Sequence, residues 1–147
     1  PSRGLGDVYK RQYTVSETLT RPVPGEVMTE FSDTPVYSET MRDYRVHAGT
    51  DYTAAHGETV HACANGIVKE THTDMLRGNM IVIEHGDYEV HYCGLGETFL
   101  VHEGDVVTAG QDIGSVTAAP FESALDSHLH IEVTRNGEPV DPESVFG

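Results

Sequence analysis

Tryptophan is absent from this chain of 147 residues, and lysine occurs only as Lys10 and Lys69. Nine lysines and arginines stand against 24 acidic residues, for a formal net charge of −15. So acidic a surface repels phosphate backbones and anionic headgroups, which argues against nucleic acid or acidic membrane as direct partners. Cysteine is scarce too. Cys63 and Cys93 form no CxxC pair, and two cysteines make no disulfide framework. Two readings of them stay open: a single bridge in an oxidising compartment, or two small buried apolar side chains. No apolar run approaches the ~18 residues of a membrane-spanning helix, and no signal peptide is visible. The chain begins at Pro1, which leaves room upstream for a leader or membrane anchor. Sustained 3.6-residue periodicity is missing as well, and this excludes a helical bundle.

What is present is a chain long enough for one domain with a real core, rich in short strands and turns. Thr59 to Ala62, Ile67 to Thr71, Met80 to Ile83 and Tyr88 to Tyr92 read as strands. Glycine-punctuated hairpins run from Phe99 to Gly114, and Asn136-Gly137 is a strong hairpin turn. Only Phe121 to Ser127 offers a helical turn. The expected class is all-β, an antiparallel two-sheet sandwich of barrel-sandwich-hybrid type. Residues 1–12 carry Arg3, Lys10 and Arg11 against Asp7 alone, and are read as a cloning- or assembly-derived leader foreign to the domain. Residues 13–20 are expected to be a linker and residues 21–147 the domain, entered through an irregular or edge-strand stretch at Arg21–Val27.

Nine histidines are many for this length. If Ser127 to Val133 is a strand, His128, His130 and Glu132 share one face, and Leu129, Ile131 and Val133 the other. Two imidazoles would then look into one site while three apolar side chains anchor the strand in a core. His47 and Asp51, four residues apart, offer further nitrogen and oxygen ligands. Three such ligands with an open position match the stoichiometry of a catalytic zinc site. The plainer alternative is a polar cluster held by hydrogen bonds. Glu132 is either support for a ligand histidine or a solvated strand-end residue. His85 reads as a structural histidine at a strand end, and His56, His61, His72, His91 and His102 as surface residues.

The spaced series His47-x-x-x-Asp51, Gly57-x-x-Val60-x-Ala62-x-x-x-Gly66-x-Val68, Gly78-Asn79-x-Ile81-Val82-Ile83-x-His85, Val101-x-x-Gly104-Asp105-x-Val107-x-x-Gly110-Gln111-x-Ile113-Gly114, His128-Leu129-His130-x-Glu132-Val133 and Gly137-x-x-Val140-Asp141-Pro142 resembles the lysostaphin/LytM-type M23 metallopeptidases. The resemblance runs from about residue 21 to the end. It implies His47, Asp51 and His130 as ligands of a zinc ion, with His128 beside it as general base or transition-state stabiliser. It also implies water activated by that zinc and, as substrate, the peptides of peptidoglycan.

Two departures qualify it. Active members of that family carry a Tyr-x-His-Leu strand, whereas this chain reads Tyr92-Cys93-Gly94-Leu95. His91 lies three residues from position 94, so strand alternation counted from there turns it away from the site. A positioned acid–base histidine is typically worth ~10²–10⁴ in rate. The Gly/Thr-rich loop expected before the HxH pair is replaced by Ala118 to Ser127. Both departures are similar to the degenerate M23 domains of endospore-forming bacteria, including the Q-protein-like members of the sporulation channel, which act as binding partners.

The resemblance thus implies an extracytoplasmic domain with peptidoglycan or an envelope protein as partner and an impaired active site. An active zinc endopeptidase is the alternative. A biotinyl- or lipoyl-carrier reading shares part of the glycine pattern but needs a lysine at a hairpin tip. Lys69 falls inside a strand, so that reading fails on chemistry.

Overall fold

The computed structural model describes residues 12–147. The strands are β1 (Val27–Thr29), β2 (Ser32–Ser38), β3 (Asp43–His47), β4 (Thr50–Thr53), β5 (Thr59–His61) and β6 (Gly66–Asp74). They continue as β7 (Gly78–His85), β8 (Tyr88–Leu95), β9 (Val106–Val107), β10 (Asp112–Ser115), β11 (His128–Arg135) and β12 (Glu138–Val140). The only helical elements among the described residues are 3₁₀ turns at Pro120–Glu122 and Pro142–Ser144. An eight-stranded antiparallel sheet runs β1-β4-β11-β8-β7-β6-β9, with β12 also paired to β11. Two further ladders, β5–β10 and β2–β3, stand apart from it. The expected all-β class, antiparallel and layered, is therefore what the chain adopts. The β2–β3 hairpin was not legible as strands, because its outward residues are mixed polar and apolar without alternation. Phe99–His102 forms no strand, and the leader reading falls almost wholly on residues 1–11, outside the described residues.

Alternation puts the core on one face of the main sheet. Tyr52 of β4, Leu129, Ile131 and Val133 of β11, Val90 and Tyr92 of β8, and Ile81 and Ile83 of β7 are all fully buried. Val60 of β5 and Ile113 of β10 join the same cluster, so the β5–β10 ladder forms the second layer over this face. At ~25 cal/mol per Å² of apolar surface, this layer is the main source of stability. Leu19 joins the same core and bridges to Phe146 near the C-terminus. Asn136 and Gly137, both at positive φ, turn β11 into β12 as the Asn-Gly signal requires.

Both cysteines are free and buried, on opposite sides of the sheet, which settles them as small apolar residues. Cys63 lies in the main core, whereas Cys93 packs with Met80 and Val82 on the other face.

His85 is a structural histidine. A carbonyl can only accept, so its Nδ1–H donates to the Asn65 carbonyl at 3.1 Å. Its Nε2 then accepts from the Tyr92 hydroxyl at 2.7 Å, and that hydroxyl accepts from the Cys63 amide at 3.0 Å. Protonation would set two donors against each other. Burial, the larger cause, lowers the pKa to about 4. The unfolded chain takes up this proton near pH 6.5, whereas the folded chain resists it until about pH 4. Stability from this residue is therefore full above pH 6.5 and is lost as pH falls toward 4, by ~3 kcal/mol. Urea unfolding from pH 7 to 4 is expected to show a shallower decline in His85→Asn than in the parent. Equal slopes would exclude His85 as the cause.

Candidate metal centre

The second face of the sheet carries the titratable cluster. β11 pairs antiparallel with β4 in a register that sets His130 directly opposite Asp51 and His128 opposite Thr53. Core burial of Leu129 and Ile131 fixes that register, since a one-residue slip would turn the histidine face into the apolar core instead. His47 is the last residue of β3, and the turn into β4 passes close over β11. A Cβ at Gly49 would lie 2.2 Å from the Ile131 carbonyl oxygen and 3.0 Å from Cε1 of His130, so only glycine permits this approach.

His47, Asp51 and His130, named from spacing, thus converge, and each is buried. A fourth residue joins them that sequence reasoning missed. Glu122, in the 3₁₀ turn before β11, is only 6% exposed, and its carboxylate enters the cluster. Its Oε2 lies 2.8 Å from His47 Nε2, and its Oε1 lies 3.0 Å from His130 Nδ1 and 3.2 Å from His128 Nε2. The signal available in the sequence was an acid six residues before His128, inside the one segment that departs from the family pattern. One donor atom each from His47, Asp51, Glu122 and His130 falls within 4.8 Å of the others.

The imidazoles are oriented from behind. Nδ1–H of His47 donates to the Glu30 carbonyl at 2.9 Å, and Nδ1–H of His128 to the Asp126 carbonyl at 2.7 Å. Nε2 of His130 is 2.9 Å from Glu132, whose carboxylate is also held by Arg77 Nε at 2.8 Å. Each ring therefore turns its other nitrogen toward the centre, the arrangement that prepares histidines for a cation. Glu132 is thus a positioning group for His130, not a solvated strand-end residue.

Two observations bear on whether a cation fits this cluster. Asp51 Oδ2 is buried without a hydrogen-bond partner, an unusual state for a carboxylate. It stands 3.3 Å from His47 Nε2. The histidines also cling to protons against their burial. Burial lowers the pKa of His47, but Asp51 and Glu122 outweigh it and raise the value to about 10. His130 is raised well above its ordinary value despite burial, by Asp51, Glu122 and Glu132. His128 is raised in the same sense, chiefly by Glu122 once burial is overcome. Burial raises the Glu122 pKa, yet the three histidines hold it below the carboxylate range. Glu132 falls to about 2 against its burial, through His130 and Arg77. Buried carboxylates at this density favour positive charge beside them, whether on protonated imidazoles or on a bound cation. Two nitrogens and two carboxylates form a donor set that suits zinc.

Other expectations need correction. His91 does not turn away. It pairs across from Glu132 and shares the site's face, because Gly94 breaks the alternation from which its direction was counted. It is half-buried, as is His61, whereas His56, His72 and His102 are exposed. Tyr92, the tyrosine of the Tyr92-Cys93-Gly94-Leu95 strand, has its ring buried in the opposite core, away from the cluster. Gly94 has φ of +73°, and a Cβ there would lie 2.6 Å from the Ala119 amide nitrogen. The space beside the sheet that a side chain at 94 would need is filled by the backbone of residues 118–119.

A groove of about 210 Å³ is lined by the β2–β3 hairpin, including His47, and by Phe121, Glu122 and Leu125. Beyond that groove the cluster is covered, with the Phe121 ring edge-on to His130 at 5.0 Å between centroids.

Residues 45–142 match the profile of peptidase family M23. Among curated proteins, the DD-carboxypeptidase/endopeptidase Mpg of Neisseria meningitidis is 35% identical over 106 residues, covering 71% of this chain and 24% of that protein. The chain spans about a quarter of the length of the curated relatives it matches. Among solved structures, a zinc containing peptidase from Vibrio cholerae aligns with a TM-score of 0.71 at 26% identity, over 88% of this chain and 39% of that one. The SpoIIQ–SpoIIIAH pore forming complex aligns with a TM-score of 0.76 at 22% identity, over 88% and 91%, a likeness of fold alone. A family match across more than half of the chain, spanning the strands that carry His47, Asp51 and His130, makes this protein a member of the M23 metallopeptidase family.

Proposed function

We propose that this chain is a zinc-binding M23 domain of the cell envelope, impaired as a peptidase and serving to bind a partner. His47, Asp51 and His130 hold the metal. Bound zinc would supply Lewis acidity toward a peptide carbonyl. The chain's own residues limit the use of that acidity. His128 presents Nε2 to the cluster from a ring fixed by the Asp126 carbonyl, the posture of a group that accepts a proton. Its neighbour there is the Glu122 carboxylate, 3.2 Å from that nitrogen.

The observation that carries the impaired reading is position 94. Its glycine supplies no acid–base group, and backbone occupies the space such a group needs. Loss of a positioned acid–base side chain costs ~10²–10⁴ in rate. The curated relatives named as a peptidoglycan DD-endopeptidase and an outer membrane antigenic lipoprotein support an extracytoplasmic setting. They also support peptidoglycan peptides or an envelope protein as the binding class.

The competing reading is an active metalloendopeptidase, favoured by the complete ligand set and by His128. Metal analysis of the purified domain is expected to give about one zinc per chain, and digestion of isolated peptidoglycan to be slow. Brisk, chelator-sensitive release of peptides would overturn the impaired reading. Absence of bound zinc would overturn the metal assignment.

A further inference from the structure

We infer that Glu122 is a fourth protein ligand that this chain inserts into its own metal site, on a plug formed by residues 118–127. The inference rests on the zinc reading above and deepens it, from a site with an open position to a closed one.

The plug is built for this place. Its root lies against Gly94, whose carbonyl accepts from the Thr117 amide at 2.7 Å. Its middle is tied to the β6–β7 turn, where the Phe121 amide donates to the Leu76 carbonyl at 3.0 Å. Its far side is tied to the β2–β3 hairpin, where the Ala124 amide donates to Thr40 Oγ1 at 2.9 Å. Pro120 begins the 3₁₀ turn, and Phe121 and Glu122 both point at His130, one by ring contact and one by carboxylate. Taking a carboxylate out of water costs several kcal/mol unless charge and hydrogen bonds answer it. Glu122 reaches three histidines, so its burial is answered only inside this cluster.

The distances suit a four-ligand site. Zinc bonds of about 2.0–2.2 Å place tetrahedral donors roughly 3.3–3.6 Å apart. The hydrogen-bonded contacts here are 2.8 Å from Glu122 Oε2 to His47, 3.0 Å from Glu122 Oε1 to His130 and 2.7 Å from Asp51 to His130, and one donor atom from each of the four residues lies within 4.8 Å of the others. The short contacts need open by several tenths of an ångström and the widest close by about one. Four protein ligands are the mark of structural zinc sites, whereas catalytic sites keep one position for water or substrate. The missing side chain at 94 and the inserted Glu122 are then two parts of one change, since the first makes room for the loop that delivers the second.

Cobalt(II) substituted for zinc tests this without any assay of hydrolysis. The loaded domain is expected to show the visible absorption of a four-coordinate ion and no response to added azide. Glu122→Ala is expected to bind cobalt roughly tenfold or more weakly and to change its spectrum on azide addition. Glu122→Gln, which keeps the side chain's shape, is expected to fall between them and serves if the alanine variant melts. A parent spectrum that already responds to azide, with unchanged affinity in both variants, would overturn the fourth-ligand role while leaving the three-ligand reading intact. Failure of the parent to take up cobalt or zinc at all would overturn both.

Discussion

Alanine in place of His130 is expected to abolish tight metal binding and to cost the metal-free fold ~3–5 kcal/mol. The ring is only 1% exposed and touches three carboxylates: Asp51 at 2.7 Å, Glu122 at 3.0 Å and Glu132 at 2.9 Å. Removing one member of a buried charged network leaves its partners desolvated and unanswered, which is where penalties of that size arise. Asp51 would suffer most. Its Oδ2 already lacks a hydrogen-bond partner, and the change would strip Oδ1 of its nearest one. Glu132 would keep Arg77 and suffer less. Urea unfolding in chelator reads the stability effect, and competition with a zinc indicator reads the binding. Parent-like values in both would show that the cluster is neither a metal site nor a cohesive element of the fold.

Gly94→His is expected to destabilise the domain and not to restore hydrolysis. Position 94 is left-handed, where a side chain costs ~1–2 kcal/mol before any contact is counted. The contact then adds to it, because a Cβ there would sit 2.6 Å from the Ala119 nitrogen and 2.9 Å from the Ala118 carbonyl carbon. Those atoms are backbone and cannot step aside as a rotamer would. The loop root must move, and with it the hydrogen bonds from the Thr117 amide to Gly94 and from the Gly94 amide to the Arg77 carbonyl. A loss of at least ~2 kcal/mol by thermal or urea unfolding is the expected reading. Activity is expected only when residues 118–127 are exchanged together with position 94. A single Gly94→His domain that is as stable as the parent and digests peptidoglycan would show that the glycine alone is the lesion.

Much of the site's scaffold was legible because strands have a period of two. Alternation in β11 alone separates His128, His130 and Glu132 from Leu129, Ile131 and Val133. The same rule failed at His91, because it was counted from Gly94, where β8 leaves regular strand geometry. Local turn chemistry was equally readable at Asn136-Gly137. The β2–β3 hairpin was not, since it projects from the main sheet with Tyr37 and Tyr44 exposed and has no buried face to impose a pattern. Glu122 escaped for a different reason. No periodicity governs a 3₁₀ turn, and an isolated acid in a loop looks the same whether it faces water or three histidines.

The amino-acid order by itself determined the all-β class, the strand that presents two histidines, the His47–Asp51 spacing, and the glycine at position 94 where a catalytic histidine was expected. These are matters of covalent order and local period. Only the tertiary structure decided that Glu122 lies among His47, His128 and His130, that Glu132 orients His130 with Arg77 behind it, and that backbone fills the space beside Gly94. The contacts of Glu122 with His47, of Arg77 with Glu132 and of residues 118–119 with Gly94 join segments separated in sequence. They exist because core burial sets the sheet register and the plug loop then packs against the face that remains.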